Sequence, residues 1–223
     1  MTAYLDEVFV PFYTSTSASK ESYRFGQLFW TPAYYPHQRL EVWRPDYLDP
    51  KLGTAKDFNI KTAGSDFFHR SLPYTNPVLA TNEEFIAIKA KRRPVILLQP
   101  PDPALLAVKK GGSSGKIVRH LCPVALVYSA ENDVGDSKFP KEFIERVRRL
   151  EYKQFMFLPK GGTLTVDSLA RLDEVQSVAE NQLEPSGYAL TPEICDILKS
   201  QVSYFFTELS GKEFAEWAAL LKN

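Results

Sequence analysis

Apolar positions along this chain come in short runs broken by proline, glycine and charge, and their spacing switches between strand-like and helix-like. Residues 25–30 (FGQLFW) form a brief apolar run closed by Thr31 and Pro32, which predicts a short strand. Residues 34–84 crowd prolines and aromatics without sustained period, so an irregular insertion is expected there, with one strand at residues 40–43. Residues 84–89 (EFIAIK) alternate and predict a strand. Residues 94–98 (PVILL) are continuously apolar, as a strand buried on both faces would be. A glycine–serine turn at residues 111–115 precedes another strand, which begins at Lys116 or Leu121 and runs to Ser129. Residues 154–158 (QFMFL) predict a strand, Pro159-Lys160-Gly161-Gly162 a turn, and residues 168–178 (SLARLDEVQSV) a strand with charges along it.

Helical spacing appears in two regions. In residues 138–150, Pro140 suits the first turn and Phe143, Val147 and Leu150 share one face, which leaves Lys141, Glu145 and Arg148 in water. At the carboxyl end Thr191 is the expected N-cap and Pro192 the first helical residue. The helix over residues 191–206 then turns Ile194, Ile197, Leu198 and Val202 inward. Ser210 and Glu213 form the pattern of a capping box for a last helix holding Trp217 and Leu221. Strands crowd the middle of the chain and helices its end, so the expected class is mainly β with helical additions: a small β-barrel domain over residues 1–223, interrupted by the insertion at 34–84 and finished by helices at 190–223.

Composition narrows the functional classes. The chain has 223 residues with 44% hydrophobic and 13% aromatic content, enough to bury a core. Its 27 Lys+Arg balance 27 Asp+Glu, so a polyanionic partner must be held by a local patch. Between Lys89 and His120 such a patch exists: Lys89, Lys91, Arg92, Arg93, Lys109, Lys110, Lys116 and Arg119 against Asp102 alone, a segment charge of +7. A solvated rim around two apolar strands has the same composition. Cys122 and Cys195 stand apart from each other and from any histidine, which fits a reducing compartment. No apolar stretch approaches the ~20 residues of a membrane span, and the first residues do not resemble a signal peptide, so a cytoplasmic protein with no membrane partner is expected.

Motifs for metal or nucleophilic chemistry do not assemble. His37, His69 and His120 lack metal-ligand spacing, no GxSxG occurs, and Lys116 precedes Ile117 where a phosphate loop needs Ser or Thr. No cofactor is expected. Arg171 and Asp173 lie two apart on a predicted strand and emerge on one face. That pair can be a plain surface salt bridge, or a phosphate-gripping guanidinium beside a proton acceptor.

Taken in order, GQLFW (26–30), RRPVILL (92–98), LCPVALVYS (121–129), SLARLDEVQSV (168–178) and LTPEICDILKSQVSYF (190–205) resemble the MazF/PemK/Kid toxin family. The resemblance covers about half the chain. It implies an SH3-like barrel of the MazF/PemK/CcdB toxin type, a homodimer, a peptide antitoxin as partner, and metal-independent cleavage of single-stranded RNA to a 2′,3′-cyclic phosphate. It assigns Arg93 to the transition-state phosphate, Arg171 and Asp173 to acid and base roles, and Ser129 to the active site; Lys91, Arg92, Arg119 and Glu174 would line the RNA. Glu174 departs from the family's usual glutamine and adds negative charge there, and His37 only loosely matches a helpful histidine. The long insertion departs most. A non-catalytic barrel that binds a partner through the same face is the alternative reading.

Overall fold

The computed structural model describes residues 3–17, 19, 23–35, 41–45, 58–62, 74–75, 78–101, 121–132, 134–209 and 212–222. The glycine–serine turn, Arg119, Lys109, Lys110, Lys116, Ser210 and all three histidines lie outside them. Two compact units emerge: Met1–Ala33 with Arg92–Asn223, and Tyr34–Lys91. The elements begin with α1 (Leu5–Val8), β1 (Tyr13–Ser15) and β2 (Gln27–Tyr34). Then come β3 (Glu41–Pro45), β4 (Phe58–Thr62), β5 (Tyr74–Thr75), β6 (Val78–Leu79) and β7 (Ile86–Ala87). They are followed by β8 (Ala90–Leu97), β9 (Leu121–Ser129), α2 (Lys141–Arg148), β10 (Phe155–Leu158) and β11 (Ser168–Ala179). The chain closes with β12 (Glu184–Leu190), α3 (Pro192–Thr207) and α4 (Lys212–Lys222).

The main sheet has seven strands in the order β1-β12-β2-β8-β9-β11-β10, and every pairing registered between them is antiparallel. It is not closed into a barrel, which corrects the sequence expectation. The two edges are short, and β10 runs into Pro159, which has no N–H to donate to a ladder. What joins the edges is a side chain: the Tyr13 hydroxyl on β1 donates to Pro159 O at 2.7 Å.

Alternation of side chains divides the core into two faces. On one face Leu28, Ile96, Ala125, Val127, Met156 and Leu172 pack with Leu5 of α1, Ile194 and Leu198 of α3, and Leu221 of α4. The other face carries two patches. Phe29, Val95, Leu97, Val124 and Leu126 lie under Tyr23 and Leu183; Phe157 and Leu169 lie under α2, with Val147, Phe143 and Ile144. Val95, Ile96 and Leu97 are all completely buried, as the unbroken PVILL run predicts.

Residues 138–150 carry a helix, α2, but one of its expected solvent residues is only partly exposed and is engaged by the protein. Arg148 grips Asp6 through Nε at 2.8 Å and Nη2 at 2.7 Å, and stacks 3.9 Å from the Tyr4 ring centre, tying α2 to the amino-terminal segment. The unit Tyr34–Lys91 is more regular than expected. It contains an antiparallel sheet ordered β4-β3-β7 and a β5–β6 hairpin. Its Glu84 carboxylate, nearly fully buried, meets Arg44 at 2.7 Å.

Candidate active site

Three antiparallel strands bring the candidate residues together. Val95 of β8 pairs with Leu126 of β9, and Leu126 pairs with Arg171 of β11. By alternation Arg93, Tyr128 and Arg171 therefore emerge on one face, between its two apolar patches. The Arg93 guanidinium lies 4.3 Å from the centre of the Tyr128 ring. That of Arg171 lies 5.8 Å from the same ring and 5.6 Å from the ring of Phe155, its partner on β10. Both cations are thus held over aromatic faces, whose quadrupole favours positive charge.

A bulge supplies the carboxylates. The β11–β9 register moves from Arg171↔Leu126 to Val175↔Ala125, so residues 172–174 have no partners on β9. Leu172 stays fully buried and donates its N–H to Gln154 O at 2.9 Å, which pins the bulge. Asp173 accepts from Arg171 Nε at 3.0 Å and Nη2 at 2.6 Å, a bidentate pair. Glu174 accepts from Arg171 Nη1 at 2.6 Å on one oxygen and from the Tyr128 hydroxyl on the other. These carboxylate contacts raise the Arg171 pKa above its ordinary value, the Asp173 hydrogen bond most of all, so the guanidinium keeps its charge. Burial, then the bond to Glu174, pushes the Tyr128 phenol up to about 12, so at neutral pH it is a hydrogen-bond donor. Two cations and two carboxylates leave the cluster close to neutral.

The other sequence candidates fall elsewhere. Ser129 has the parity of Ala125 and Val127, which face the helices, and its hydroxyl bonds the backbone of Glu131 two residues on. It closes a local turn and does not join the cluster. Arg92, on the opposite face of β8 from Arg93, bonds Glu184 at 2.7 Å and stacks 4.6 Å from the Trp30 ring centre, in line with the Glu184↔Trp30 pair of β12 and β2. Lys91 is exposed on β8. Tyr128 is the member that sequence reasoning passed over. The signal is in the alternation of LCPVALVYS: Cys122, Val124 and Leu126 belong to the patch beside the site, and Tyr128 is next on that face.

Among the described residues no three His, Cys, Asp or Glu side chains gather to hold a metal ion. Nor is any helix among them long and apolar enough to cross a membrane. The sequence matches no family model and no curated protein.

Proposed function

We propose that this face binds a phosphodiester and that the protein is a PemK/MazF-like, metal-independent endoribonuclease acting on single-stranded RNA. The observation that carries the reading is the convergence of Arg93, Arg171 and Asp173 around Tyr128 from three separate strands. Asp173, partly exposed, releases one Arg171 bond and takes the proton from a ribose 2′-OH. The 2′-oxygen attacks the adjacent phosphorus, and the bond to the 5′-oxygen breaks. The products are a 2′,3′-cyclic phosphate and a 5′-OH that has taken a proton from water. Arg93 meets the charge growing on the phosphoryl oxygens. Arg171, with its raised pKa, is a poor acid, so it shields the leaving oxygen and does not protonate it.

Incubating the purified protein with long single-stranded RNA in chelator, and probing the new ends for cyclic phosphate, tests the reading. Arg93→Ala and Asp173→Asn should each slow cleavage by about 10²–10³-fold while retaining the native circular dichroism spectrum. The family likeness also implies a homodimer and a peptide antitoxin; a monomer mass by light scattering at micromolar protein would remove the dimer. The near-neutral cluster and the absence of Ser129 from it favour a second reading, a non-catalytic module that binds a partner through this face. That reading expects no cleavage of any RNA by the native protein.

A further inference from the structure

We propose that in the free protein Glu174 occupies the seat a phosphodiester anion takes on binding, so that the site is held shut by its own carboxylate. The proposal rests on the phosphodiester-binding part of the reading above and assigns its regulation. Along a regular strand, residues 171 and 174 would point to opposite faces. The bulge overrides that: with Leu172 pinned in the core, the extra residues turn Glu174 back onto Arg171. Its two oxygens then take one N–H of the Arg171 fork and the Tyr128 hydroxyl, with the Arg93 guanidinium over the same ring. A forked cation, a hydroxyl donor and a second cation around two oxygens are the groups that grip the non-bridging oxygens of a phosphodiester. The Glu174 side chain is only 12% exposed, whereas Asp173 on the other side of the fork is 31% exposed. One set of donors cannot serve two anions. Substrate must therefore displace a tethered competitor, and rotation of the Glu174 side chain is enough to vacate the seat.

Binding of a fluorescent single-stranded oligodeoxynucleotide, followed by polarisation at fixed low salt, tests this without cleavage because the probe has no 2′-OH. Glu174→Gln should bind it at least about tenfold tighter than the native protein, since removing a buried competing charge is worth more than ~1.4 kcal/mol. Adding Arg171→Ala should erase the gain. Affinity unchanged or weaker in Glu174→Gln overturns the proposal. So does a gain that survives Arg171→Ala, because it would come from lost negative charge alone. If Glu174→Gln fails to fold, Glu174→Ala makes the same comparison, leaving both donors vacant. A protein that gains affinity in this way yet cuts no RNA keeps the proposal and loses the ribonuclease reading.

Discussion

Gly26 holds a backbone position that no other residue could share with Cys195. Its φ is +81°, and a Cβ built there would lie 2.3 Å from the Cys195 sulfur. Gly26→Ala combines left-handed strain with overpacking and should cost about 2–4 kcal/mol in urea unfolding. Adding Cys195→Ala should recover part of that loss, because it removes the sulfur and leaves only the strain; strict additivity of the two changes would contradict the contact. At the candidate site, Arg93, Arg171 and Asp173 could be named from their strand motifs. The parity that sets Tyr128 in the cluster and Ser129 outside it depends on the register with neighbouring strands. Glu174 was legible as a charge near the site, but not as a ligand of Arg171, because a bulge cannot be read from residue types.

Among the elements, α2 carries only part of the expected stripe: Phe143 and Val147 pack together in one patch, whereas Leu150 lies past the end of the helix at a positive φ and enters the core on the other face of the sheet. Val147 and Leu150 are fully buried, while Phe143 is half-buried in an aromatic cluster, its ring centre 5.4 Å from Phe139, 5.3 Å from Tyr152 and 5.4 Å from Phe155. Phe143→Ala should therefore cost about 2–3 kcal/mol, below the ~3–5 of a fully buried phenylalanine; a change under ~0.5 in the unfolding free energy would make α2 peripheral. Thr191 stands at the N-cap of α3, as the Thr-Pro-Glu pattern predicts, but its side chain caps nothing. Its hydroxyl is buried and makes no hydrogen bond among the described residues. Thr191→Val should accordingly leave stability within about 0.5 kcal/mol, where a working cap would lose about 1. Strand β12 escaped the sequence pattern altogether. EPSGYAL carries proline and glycine and no clean alternation; it is a strand because β1 and β2 pair with its two sides.

Across the whole molecule, buried groups with raised pKa values set an alkaline limit on stability. Burial pushes the thiols of Cys122 and Cys195 up from an ordinary 9.0 to about 11, and the Tyr128 phenol from 10.0 to about 12. Each holds its proton more tightly folded than unfolded. Their contribution is complete below about pH 9 and is lost as pH rises from there through 12. The urea midpoint should fall steadily between pH 9 and 11, and less steeply in Cys122→Ala; a flat profile would show that these groups are not buried as described. Short strands, the doubly buried PVILL run, three of the four α-helices described and the ordered charged motifs were all determined by local sequence, because periodicity and turn chemistry act over a few residues. The open edges of the sheet, the pairing of strands within the insertion and the seating of Glu174 between Arg171 and Tyr128 were decided only in three dimensions. They depend on which strands become neighbours and in what register, and pairings between residues tens of positions apart leave no periodic trace in the chain.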